Sequence, residues 1–274
     1  MTTNQPMPAG LPTHAKERLE AMGGKGGQGR LFTSDLSVNE FLLVKEAGFD
    51  PVGMVVGCSI YHIGFQSASW SQNQEMTVLS QAMYHARELA MSRMEEEADA
   101  LGADGIVGVR LTAKHMEWEP NLAEFVAIGT AVCARNHEIS YRTLDNKPFT
   151  SDLSGQDFWT LLRAGYRPVG LVMGNCVYHI AHQGLGQWFK NIGQNVEMTN
   201  FTQALYDARE LAMERMQAEA THLKSEGIVG VQLNEGKYSW NSHVIEFFAV
   251  GTAVVPIRED HRIPTPQLVL SVND

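Results

Sequence analysis

Cysteine is scarce in this chain. Cys58, Cys133 and Cys176 are spread over 274 residues, too few and too irregular for a disulfide framework. Each is expected to be buried as a small hydrophobe, and the chain is expected to be cytoplasmic. Positive charge is also short: 21 Lys and Arg stand against 31 Asp and Glu, a net −10. No local basic cluster reverses that balance, which excludes a surface that meets nucleic-acid phosphates. No apolar run reaches the roughly 18–20 residues of a membrane helix, and Met1 to Gly10 lacks the basic-then-apolar pattern of a secretion signal. The glycine run Gly23 to Gly29 has no strand before it and no Gly-Lys-Ser/Thr after it, so it is no phosphate loop. No Ser-His-Asp order and no base-stacking platform is present.

What the chain does have is a repeat. Thr77 to Val109 and Thr199 to Val231 share Ala-Arg-Glu-Leu-Ala-Met at 86–91 and 208–213, then Gly-Ile-Val-Gly-Val at 105–109 and 227–231. Self-similarity at this period fixes the domain count before anything else. The length and the 44% hydrophobic content suffice for two ordinary cores.

In the first copy, Ser37 with Glu40 three residues on forms a capping box for a short helix over 38–47, stopped at Gly48. A strand dense in β-branched residues follows over 52–63. Thr77 is expected to cap a helix of about 24 residues, roughly 36 Å long, with Leu79, Met83, Ala86, Ala90, Met94 and Ala98 in one apolar stripe. Gly102 ends it. Strands over 105–111 and 124–132 close the copy. In the second copy Phe149 to Ser154 repeats Phe32 to Ser37, Tyr178-His179-Ile180 repeats Tyr61-His62-Ile63, and Glu246 to Val254 repeats Glu124 to Val132. Strand–helix–strand implies a parallel crossover and the last pair an antiparallel hairpin. The expected fold is therefore α+β: two tandem copies of a small domain, each with a long amphipathic helix on a mixed β-sheet. Boundaries are expected at 31–134 and 148–256, with a polar linker over 135–147. Residues 1–30 read as a flexible tail, and 257–274 as a tail whose 267–272 form an extra strand or docking peptide.

The motifs Ala-Gly-Phe-Asp-Pro-Val-Gly-Met-Val-Val-Gly, Leu-Gly-Ala-Asp-Gly-Ile-Val-Gly-Val-Arg and Ala-Ile-Gly-Thr-Ala-Val resemble the YbjQ-type family, also called UPF0145, DUF74 or the heavy-metal-binding domain. The resemblance covers both copies. It implies pentameric rings, although family members usually carry one domain and shorter loops than those after His62 and His179.

The metal name is weakly supported by the residues. Cys58 and His62 lie four apart on one face of a strand, but Cys176 aligns with Ser59, three residues from His179, so the pair is broken in the second copy. Zinc needs three or four ligands in set geometry. Tyr61-His62 and Tyr178-His179 recur in register and are the candidates for a shared role, chiefly hydrogen bonds at a subunit contact. Arg87-Glu88 and Arg209-Glu210 on the long helices, with Glu124 and Glu246 at the strand starts, read as salt-bridged faces or interface contacts rather than acid/base couples. No catalytic residue and no cofactor is indicated. The function expected is that of a non-enzymatic, self-assembling structural protein. Its partner is itself, through five-fold contacts that build a ring or a hollow shell, with a tail left to engage protein cargo. The competing class is a pentameric metal or small-ligand binder using pockets beside His62 and His179.

Overall fold

The computed structural model describes residues 10–22, 32–62, 72–116, 119–136, 138–181, 199–237 and 244–261. The glycine run, the expected strand over 267–272 and most of the loops 63–76 and 181–196 lie outside them. In order, the elements are α1 (Thr13–Met22), α2 (Val38–Glu46), β1 (Phe49–His62), β2 (Gln74–Glu75), α3 (Thr77–Ala100), β3 (Gly105–Met116) and β4 (Glu119–Ala134). The second half adds β5 (Phe149–Thr150), α4 (Gly155–Arg163), β6 (Tyr166–His179), α5 (Thr199–His222), β7 (Gly227–Lys237) and β8 (Val244–Pro256). The fold is α+β, as two tandem copies of one plan.

Local chemistry sets several boundaries. The capping box is present: Ser37 Oγ accepts from Glu40 N, and Glu40 Oε2 accepts from Ser37 N. Thr77 does not cap α3; it is the first helical residue, and Met76 occupies the N-cap with no side-chain hydrogen bond. The strands run further than their apolar segments, because β3 and β4 continue as a paired hairpin beyond the core.

Each helix lies on its own sheet, and glycine sets the distance. A Cβ on Gly57 would sit 1.9 Å from Ala90 O, and one on Gly174 would sit 2.2 Å from Ala212 O. Only glycine lets helix and strand backbones approach so closely. Alternate residues of β1 face α3, and Ser59 donates to Ala86 O at 2.7 Å. Met54, Val56, Cys58 and Ile60 face the other way.

The sheets depart from the expected connection. β4 pairs antiparallel with both β1 and β3. The crossover through α3 therefore joins parallel strands that are not neighbours, since β4 inserts between them. The hairpin expected of the last pair is present. The orders are β1-β4-β3-β5 and β2-β6-β8-β7, and both contain an exchange. β5, from the second copy, pairs parallel with β3 of the first. β2, from the first copy, pairs antiparallel with β6 of the second.

Residues 13–22, inside the expected tail, form a helix whose Leu19 and Met22 are buried. The composition of 1–30 as a whole hid one apolar edge strong enough to dock. The connection after β4 is also tied down: Arg135 clamps Asp50 at 2.9 and 2.6 Å, and Arg142 donates to Ala103 O at 2.7 Å and to Asp99.

Candidate functional site

Of the polar residues singled out from the sequence, Arg87, Glu246, Tyr178 and His179 lie at the seam between the copies. Arg87, in the middle of α3, ignores its neighbour Glu88. Its guanidinium meets Glu246 of the second copy at 2.6 Å, with both side chains buried. It stacks 4.1 Å from the Phe248 ring and 5.4 Å from that of Phe125. A planar, delocalised cation suits this slot, and the pairing offsets the large cost of burying either charge alone. Glu88 instead meets His85 at 3.3 Å on the surface.

Further along the same face, Ser80 Oγ accepts from Val177 N at 2.9 Å, and Asn175 Nδ2 donates to Ser80 O at 3.0 Å. Tyr84 donates to Glu219, whose other oxygen accepts from Met173 N at 2.7 Å. Burial pushes the Glu219 carboxyl above its ordinary range, while these two hydrogen bonds pull the other way. Nearby Glu95 is likewise raised by burial, opposed by Lys147. At the end of β6, Arg215 forks onto Glu75 at 2.7 and 3.0 Å, a bidentate pair across the exchanged strand. Val177 and Val244 of the second copy complete the apolar core of the first.

Tyr178 and His179 are buried where β6 pairs with β2, with His179 Nδ1 3.4 Å from Gln72 O. Tyr61 is half-buried and His62 exposed. The four share a strand position but not an environment. Cys176 is buried and its thiol is pushed up to about 12, chiefly by burial and then by Glu75. Such a thiol is a packing group, since the reactive and ligating form is the thiolate. Cys58 is exposed and Cys133 half-buried, contrary to the expectation that all three are buried. Position 58 falls on the outward side of the pleat. Four residues along an extended strand place Cys58 and His62 about 13 Å apart, too far to share an ion held at roughly 2.0–2.3 Å. Among the described residues no three His, Cys, Asp or Glu side chains converge on a point.

The seam is head-to-tail. The outward face of β6 receives α3, but the equivalent face of β1 receives no α5. Val177 is 0% exposed and its counterpart Ile60 is 60% exposed. Phe149 covers Gly105, where a Cβ would strike its ring at 2.0 Å; the nearest atom at the counterpart, Gly227, is Val254 at 3.8 Å. Phe32, the counterpart of Phe149, is 43% exposed. Arg209 and Glu124, counterparts of Arg87 and Glu246, sit half-buried in different copies without pairing with each other, with Arg209 stacked 4.3 Å from its own Tyr206 ring. Glu210 is exposed beside it.

A family model described as "Putative heavy-metal-binding" matches residues 54–135 and again 165–256, the two halves that form this seam. The chain belongs to the YbjQ-type family. It is 50% identical to the "Encapsulin nanocompartment protein Rv1762c" of Mycobacterium tuberculosis, over 88% of this chain and 92% of that protein. A UPF0145 protein of Clostridium perfringens is 38% identical over 29% of this chain and 78% of its own length. One from Pseudothermotoga lettingae is 38% identical over 33% and 87%. These two align with about one copy each, whereas the mycobacterial relative matches the tandem YbjQ-type arrangement.

Sequence reasoning missed Tyr84, Glu219, Ser80, Glu75 and Arg215. One signal was available. Glu97 and Glu219 recur on the inner side of both long helices, and each accepts a strand amide, from Val56 N at 2.8 Å and from Met173 N at 2.7 Å. A repeated carboxylate on an apolar stripe marks a built contact rather than a solvated face.

Proposed function

We propose that this chain is a non-enzymatic structural protein of the cytoplasm that assembles with copies of itself into rings, and through them into a hollow closed shell. The observation that carries the reading is the head-to-tail seam with its two halves left unused at opposite ends. Such a contact is heterologous and propagates until a ring closes. The outward face of β1 and the edge of β7 are the two halves that a second chain would fill, and an unpaired strand edge is a ready template for pairing. The name of the mycobacterial relative supports a compartment as the end point.

The seam also sharpens the five-fold expectation. Copies joined this way are neighbours in one ring rather than layers of two stacked rings. Whole chains then contribute an even number of copies, so a five-fold ring holds five chains and ten copies. Twelve such rings at five-fold vertices need about 60 chains by point-group closure. Either terminal segment, 1–30 or 257–274, is a candidate for engaging protein cargo.

Size-exclusion chromatography with light scattering, followed by electron microscopy of the particles, tests this. Hollow particles far heavier than one ring are expected. A mass that never exceeds five chains refutes the shell. A mass that stays at the 30.3 kDa of a single chain at all concentrations refutes assembly. The metal-binding alternative gains nothing from the separation of Cys58 and His62.

A further inference from the structure

The open face of the first copy is not bare. α1 lies at its margin, where the edge of β1 meets the C-terminal half of α3. Met22 reaches the α3-facing side of Gly53 next to Leu101, and Leu19 is buried as well. Arg18 donates to Met54 O at 3.0 Å and pairs with Glu97. The counterpart of Glu97 is Glu219, which takes its second hydrogen bond from Tyr84 of the neighbouring copy. Arg18 therefore stands where an incoming tyrosine would stand. That tyrosine is Tyr206, the counterpart of Tyr84, and it is 53% exposed at the far end of the chain.

The fit of α1 is partial. A groove of about 700 Å³ remains, lined by Leu11, Arg18, Val56, Cys58, Leu89 and Arg93 among others; Cys58 in its wall and Ile60 outside it stay exposed. A helix of 10 residues is marginal without tertiary support, so its order depends on this docking. At the intrachain seam the same ground is covered by a helix of 24 residues.

We propose that α1 is a displaceable plug on the assembly face: it guards Glu97 in the unassembled chain and yields to α5 of a second chain, whose Tyr206 replaces Arg18. The proposal rests on the assembly reading and adds a gate to it. A site closed by its own chain binds a partner more weakly by the fraction of time it stays closed. Removing the plug therefore lowers the concentration at which chains assemble.

The test uses the full chain and its Arg18→Glu variant, which sets two carboxylates against each other at Glu97. Both are dissociated by dilution and followed by light scattering as the concentration is raised. The variant is expected to reach half-assembly at a concentration roughly five- to tenfold lower. In parallel, trypsin cleavage after Lys16 and Arg18 of the wild-type chain is expected to be slow in dissociated chains and fast in assembled ones. If the wild type assembles but the variant does so no more readily, or if the 16–18 region stays protected in the assembly, the plug is refuted alone. If both proteins remain single chains throughout, the assembly reading falls and the plug with it.

Discussion

Replacing Arg87 by methionine separates the two halves of the seam. The substitution keeps most of the apolar stem between Phe125 and Phe248 and removes the charge. It leaves Glu246 buried without its cation, in a contact whose side chains are both almost wholly inside the protein. Breaking a buried pair in this way costs about 3–5 kcal/mol. For a chain of this size that lowers Tm by on the order of 10 °C. The same change at Arg209 removes a cation from a half-buried surface position, and the dissociated chain is expected to lose under about 1 kcal/mol. Its effect is expected in assembly instead, because the proposed ring would pair Arg209 with Glu124 of a second chain. Scanning calorimetry of dissociated chains reads the first quantity and light scattering the second. The charge-swapped chain, Arg209→Glu with Glu124→Arg, is expected to recover particles that either single change abolishes. Equal Tm losses for Arg87→Met and Arg209→Met would refute the pseudo-equivalence, as would normal assembly by Arg209→Glu alone.

Other outcomes follow from the same geometry. Gly57→Ala and Gly174→Ala each force a Cβ onto a helix carbonyl, at 1.9 and 2.2 Å; each is expected to destabilise the chain by at least the roughly 1–3 kcal/mol typical of overpacking, read by urea denaturation. Glu95 and Glu219 both have carboxyl pKa values raised by burial above the ordinary 4.5. Their favourable contribution is complete below that value and is lost as pH rises through the raised ones. Tm is therefore expected to climb as pH falls through the raised values toward the ordinary carboxylate range, and Glu95→Gln with Glu219→Gln should flatten the climb. Below that window Glu40 and Asp50, whose pKa values are lowered by hydrogen bonds from Ser37 and Arg135, work in the opposite sense. A maleimide is expected to label exposed Cys58 in dissociated chains, to spare buried Cys176, and to lose Cys58 when particles form; persistent labelling in the particles would place the contact elsewhere.

Much of the plan was readable in the residues. The duplicated Ala-Arg-Glu-Leu-Ala-Met and Gly-Ile-Val-Gly-Val segments announced two copies, and the Ser37–Glu40 spacing announced α2. Arg87 and Glu246 were each legible as candidate polar contacts but not as partners. Adjacent helix positions such as 87 and 88 do not face each other, and the true partner lies 159 residues away. β2 and β5 are two-residue strands with no propensity signal, so their exchange between copies exists only in the tertiary structure. The cysteines went astray through the pleat: one step along a strand moves a side chain from core to surface, which separates Cys58 from Ser59 and its counterpart Cys176. The docking of α1 escaped because composition averaged over the whole expected tail masks one short amphipathic segment.

The fusion of two copies changes how a particle comes and goes. The seam inside each chain forms at the effective concentration of a short tether, on the order of millimolar, and is complete before any two chains meet. The proposed ring of five chains would then close through five contacts between chains rather than ten between copies. Dilution reverses only those five. A particle should therefore shed matter in two-copy units, and single copies should never appear as products of disassembly.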